Sequence, residues 1–113
     1  MALTKEPLSG STSGRGIKVV ATASTGTTIH TQATGTWDEV WLWAVNSQAA
    51  DVKLTLEWGG TTSPDDLIEM TIPGEGGLYP IAPGLPIEDA VVIRAFADTA
   101  NVILIHGYVN RGP

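Results

Sequence analysis

Cysteine is absent from the 113 residues, which removes disulfides and thiolate metal sites as staples of the fold. Charge is scarce too: 16% of residues are charged, against 42% hydrophobic. The net charge is −6, and no cluster of Lys and Arg is present to neutralise phosphates, so nucleic acid is not an expected partner. No stretch approaches the ~18 apolar residues of a membrane span. MALTKEPLSG lacks the apolar core of a secretion signal, so the expectation is a chain made in the cytoplasm with no membrane partner.

Catalytic and metal signatures are missing as well. The two histidines, His30 and His106, belong to no HxH or HExxH pair, whereas a metal site needs three or four converging ligands. Asp65, Asp66 and Glu69 gather near a turn but lack EF-hand spacing. GSTSG, residues 10–14, centres on a threonine rather than a nucleophilic serine. GxGxxG fails in the glycines after Pro73, because Tyr79 occupies the third position. The expectation is therefore a non-enzymatic chain with no cofactor, no metal and no catalytic residue.

What the sequence does contain is alternation. A leader, residues 1–16, has no periodicity and a Gly/Ser core, and reads as a flexible or extended arm. It precedes a sandwich domain, residues 17–113. IKVVATA places Ile17, Val19, Ala21 and Ala23 on one side, and Thr-rich TTIHTQA favours a strand. DVKLTLEW directs Val52, Leu54, Leu56 and Trp58 one way and Lys53, Thr55 and Glu57 the other. LIEMTI alternates again. The prolines of PGEGGLYPIAPGLPIED forbid a helix and suit a long shaped loop or an edge segment. AVVIRAFA and NVILIHGYV, separated by DTA, read as a hairpin. Seven or eight short strands without a helix indicate an antiparallel β-sandwich.

Charge divides unevenly. Residues 1–36 carry Lys5, Arg15 and Lys18 against Glu6, whereas residues 37–113 carry three basic and eleven acidic residues. The basic leader could dock on an acidic neighbour, which makes Lys5, Arg15 and Lys18 candidate docking residues.

TWDEVWLWAVN, residues 36–46, places Trp37, Trp41 and Trp43 on one parity and Val40, Leu42 and Ala44 on the other. One face supplies the core and the other needs a cover, because large exposed apolar patches are uncommon on monomers. A homo-oligomer interface is one cover, and the leader or the Pro-rich stretch folding over the strand is another. Trp37, Trp41, Trp43, Trp58, Tyr79 and Tyr108 are accordingly candidates for core or subunit packing.

GLYPIAPGLPI followed by VVIRAFADTANVILIHGYVNR resembles small virion proteins of tailed bacteriophages, over roughly residues 37–113, and among them the capsid decoration, or cement, class. The resemblance implies a small β-sandwich of jelly-roll type. It further implies a homotrimer on the outside of the capsid, which binds the major capsid protein and ties neighbouring capsomers together. The class has no fixed site motif, so it assigns no binding residues. A neck, tail or head-fibre component and a carbohydrate-binding sandwich module, the latter using exposed tryptophans, stay open at this point.

Overall fold

A computed structural model describes residues 3–113, so the first two residues of the expected arm lie outside it. Among the described residues there are nine strands and no helix: β1 Thr4–Pro7, β2 Ile17–Lys18, β3 Thr27–Thr31, β4 Trp37–Asn46, β5 Val52–Trp58, β6 Leu67–Ile72, β7 Tyr79–Glu88, β8 Val92–Ala97 and β9 Ile103–Arg111. They form two antiparallel sheets. Sheet A runs β1-β9-β4-β7, with β2 also pairing β9; sheet B runs β3-β8-β5-β6. The chain is an all-β antiparallel sandwich.

The pairing is nested. β2 pairs β9, β3 pairs β8, β4 pairs β7 and β5 pairs β6. Only β5–β6 is a hairpin in that set. β8 and β9, whose short connection suggests a hairpin, lie in different sheets. The turn residues between them carry the chain across the sandwich rather than back along one sheet. IKVVATA is also shorter as a strand than its alternation suggests. After Lys18 the backbone crosses between layers: Val19 N–H donates to Ile103 O at 2.8 Å, and Ala97 N–H donates to Ala21 O at 3.1 Å.

The core lies between the inner faces. β4 contributes Val40, Leu42 and Ala44, and β9 contributes Ile103, Ile105 and Val109. Opposite them stand Ile29, Leu54, Leu56, Ile72, Ile93 and Ala95. Burying each of the larger side chains is worth about 1.5–3 kcal/mol relative to exposure. The side of β5 expected to face solvent is only partly exposed. Lys53 is, but Thr55 and Glu57 are buried, because the loop before β3 folds over them. Ser24 Oγ donates to Glu57 Oε2 at 2.5 Å and Gly26 N–H donates to Oε1 at 2.6 Å.

Part of the leader is extended and paired. β1 joins β9 from Thr4↔Arg111 to Pro7↔Tyr108, and Leu8 is buried in the core. The Pro-rich stretch forms β7, an edge strand, in agreement with one of its two expected forms. Its register against β4 shifts twice. At one shift the extra residue is Gly84, with φ +81°, a left-handed backbone that glycine adopts without a Cβ penalty.

Candidate functional site

The pleat of β4 turns Trp37, Glu39, Trp41, Trp43 and Val45 outward and places Asp38, Val40, Leu42, Ala44 and Asn46 inside. The tryptophan parity is therefore the outer face of sheet A, and its side chains are half-buried. Register aligns the neighbours. Tyr108 stands opposite Trp41, His106 opposite Trp43, and Asn110 opposite Glu39. Directly opposed side chains in adjacent strands are close enough to interact. Trp41 and Tyr108 lie 6.4 Å apart between ring centroids at 15°, Trp41 and Trp43 6.5 Å at 19°, and Trp43 and Tyr108 6.1 Å at 27°.

Polar groups frame the rings. Lys5 Nζ sits 4.6 Å from the Tyr108 centroid, a cation–π distance. Glu39 Oε1 accepts from Trp41 Nε1 at 2.7 Å and from Asn110 Nδ2 at 3.0 Å. Hydrogen bonds from Asn110 and then Trp41 hold the Glu39 carboxyl below the usual glutamate range. On the β7 side Trp41 packs against Gly84, where a Cβ would collide with the indole. The cover for this face is thus partial. The rings shield one another, Lys5 of the leader lies over Tyr108, and Gly84 of the Pro-rich stretch packs against Trp41.

Of the candidate residues, Lys5, Trp41, Trp43 and Tyr108 converge here. Lys18 points outward on the same sheet, opposite Leu104, and Arg15 is exposed in the turn where its N–H donates to Thr12 O. Trp37 continues the outer face beyond Glu39. Trp37 lines two open clefts of about 320 and 290 Å³; Glu88 lines both, with Pro86 and Ile87 in one and Asp89 in the other. Trp58 does not join the group: it ends β5 in sheet B and packs against the core. Tyr79 begins β7. It is 38% exposed; Leu78, just before the strand, is 60% exposed and Leu85, further along it, 36%.

A buried polar cluster pins the two sheets together. The bulge between Thr28 and His30 allows the consecutive residues Ile29 and His30 both to be buried. His30 Nε2 meets Asp38 Oδ2 at 2.7 Å, and Arg111 donates to Asp38 through Nε at 2.8 Å and Nη2 at 3.1 Å. Burial pushes the Asp38 carboxyl up, but the bonds from Arg111 and His30 outweigh it and hold the group below its ordinary range. The same contact with Asp38 raises the Arg111 guanidinium. Ser9 completes a Ser, His and Asp set in composition only. Its backbone N–H, not its hydroxyl, donates to His30 Nδ1 at 3.0 Å, and its Oγ accepts from Thr31 N–H at 2.7 Å. Among the described residues no hydroxyl bonds to the imidazole, and the cluster ties β3 of sheet B to β4 and β9 of sheet A.

The Asp65, Asp66 and Glu69 group is dispersed into local contacts. Asp66 Oδ2 accepts from Thr62 N–H at 3.2 Å, and Glu69 pairs with Lys53 at 3.1 Å. Sequence reasoning passed over Glu39, Asn110 and the Asp38 clamp. The shared parity of Glu39 with the tryptophans was the available signal for the first. Comparison of the chain with protein-family models, with curated proteins and with solved structures finds no match in any of the three.

Proposed function

We propose that this chain is a structural virion protein that binds the outside of a phage capsid and stabilises it by bridging capsomers. Its partners would be the major capsid protein and further copies of itself, as a homotrimer. The observation that carries the reading is the set of exposed apolar side chains along one edge of sheet A: Tyr79 and Leu85 on β7 and Leu78 just before it are open to solvent. Pro80, Pro83 and Pro86 make that edge a poor template for another strand, so a partner would be held there by side-chain packing. Closed symmetry is expected of a homo-oligomer, and several weak contacts made at once would add up across capsomer boundaries.

The nested strand pairing, 2 with 9 through 5 with 6, supports the jelly-roll form of the sandwich, a folded ribbon of four antiparallel pairs. Lys5, Arg15 and Lys18, all exposed, would supply the charge that steers docking.

The test mixes the full chain with undecorated phage shells and pellets them. Co-sedimentation of the wild type, lost in a Leu78→Ser, Leu85→Ser double variant of unchanged circular dichroism, is the expected result. A wild type that stays in the supernatant, or a double variant that pellets equally well, refutes the reading. Labelling confined to the neck or tail of intact particles would replace it with a neck or tail role.

A further inference from the structure

The aromatic face of sheet A poses a chemical problem that the β7 surface does not. Trp41, Trp43 and Tyr108 offer half-exposed, nearly parallel rings, but the Glu39 carboxylate is fixed beside them. Both of its bonds go to Oε1, and Oε2 receives none among the described residues. A purely apolar partner would bury that carboxylate without compensating hydrogen bonds, which is costly. A purely polar partner would leave the indole faces unused. The face calls for a ligand with an apolar side and a rim of hydrogen-bond donors.

A pyranose ring has that composition. Its axial C–H groups present an apolar face to an aromatic ring, and its hydroxyls donate and accept at the edge. Glu39 Oε2 would accept from a hydroxyl. Asn110 beside it and His106, cross-strand from Trp43, supply further polar groups at the rim. Lys5 over Tyr108 balances Glu39 locally, and the chain's net charge of −6 favours a neutral sugar over uronic and sialic acids. Trp37 lies on the same outward parity and lines two open clefts. From Trp37 to Trp43 the strand advances about 20 Å, long enough for several sugar units. We propose that the outer face of sheet A is a binding track for a neutral hexopyranose oligosaccharide, with Trp41, Trp43 and Tyr108 as the stacking surface and Glu39 as the central hydrogen-bond acceptor.

The site is distinct from the β7 edge, so the capsid reading and the glycan reading stand or fall separately. The test titrates the full chain with cellohexaose, laminarihexaose and mannohexaose, following tryptophan fluorescence and calorimetric heat. At least one should give a saturable change. Trp41→Ala and Trp43→Ala should each weaken that binding by about tenfold or more, and Glu39→Gln by about tenfold, each a loss of one decade in Kd. Trp58→Phe, on the other sheet, should leave Kd unchanged. Circular dichroism checks that each variant is folded. Perturbation of the Trp41 and Trp43 indole N–H resonances in the wild type provides a readout that needs no variant. No saturable response to any of the three sugars overturns the proposal, as does binding that perturbs neither resonance. Retention of a lysine-rich peptide without any sugar would overturn it too, by assigning the face to cations.

Discussion

Removing Arg111 should reverse the sign of Asp38's contribution to the pH dependence of stability. Asp38 is 0% exposed and accepts two bonds from Arg111 and one from His30. Breaking a buried ion pair by deleting one partner costs about 3–5 kcal/mol. The Arg111 side chain is 29% exposed, so solvent already screens part of the pair, and the lower end, about 3 kcal/mol near pH 7, is expected for Arg111→Ala. For a chain of this size that is a fall of about 12 °C in Tm.

In the wild type the Asp38 pKa is depressed in the fold. Its stabilising contribution is complete above the ordinary aspartate value, about 3.9, and is lost as pH falls through the lower folded value. Without Arg111, burial dominates and the folded pKa rises above the unfolded one. The folded state then binds more protons, so the variant's deficit should be smallest at acid pH, below the wild type's depressed Asp38 value, and grow as pH rises. Urea unfolding of both proteins across that range measures the difference directly, with the remaining carboxylates common to both. A deficit that stays constant with pH, or one below about 1 kcal/mol at neutrality, would refute the assignment of Asp38 as a buried charge held by Arg111.

Leu8→Ala should cost about 3 kcal/mol by thermal or urea unfolding, because Leu8 is buried; a residue in a free arm would change stability by no more than about 0.5 kcal/mol. Glu57→Ala should cost about 2 kcal/mol by orphaning Gly26 N–H and Ser24 Oγ, and the Gly26 amide should exchange with solvent faster than in the wild type. Unchanged exchange there would mean that Glu57 does not hold the loop.

Strand existence was legible wherever one face of a strand is buried. Val52, Leu54 and Leu56 alternate with Lys53 in the sequence and in the sandwich, and both parities of β4 could be recognised as apolar before either was assigned. What could not be read is what lies on a strand from outside. Glu57 looks like a solvent-facing residue until the loop at Ser24–Gly26 is placed over it. The β8–β9 connection shows a second limit: a short polar turn serves equally well to reverse a chain within one sheet or to pass it to the next. His30 is a third case. Its burial follows from a bulge, and a bulge leaves no period in the sequence. The aromatic face was half visible, since parity grouped the tryptophans, but Tyr108, Lys5 and Asn110 reached them only through the register of β9.

That register also sets an order of events during synthesis. β9 holds β1, β2 and β4 together, yet it is the last of the nine described strands to be made. Until Ile103–Arg111 has left the ribosome, β1 and β2 have nothing to pair with and β4 lacks one of its two neighbours. A nascent chain must therefore be kept from sticking to its neighbours until β9 has emerged, and a product shortened before Ile103 would give the cell a substrate for proteolysis rather than a smaller working domain.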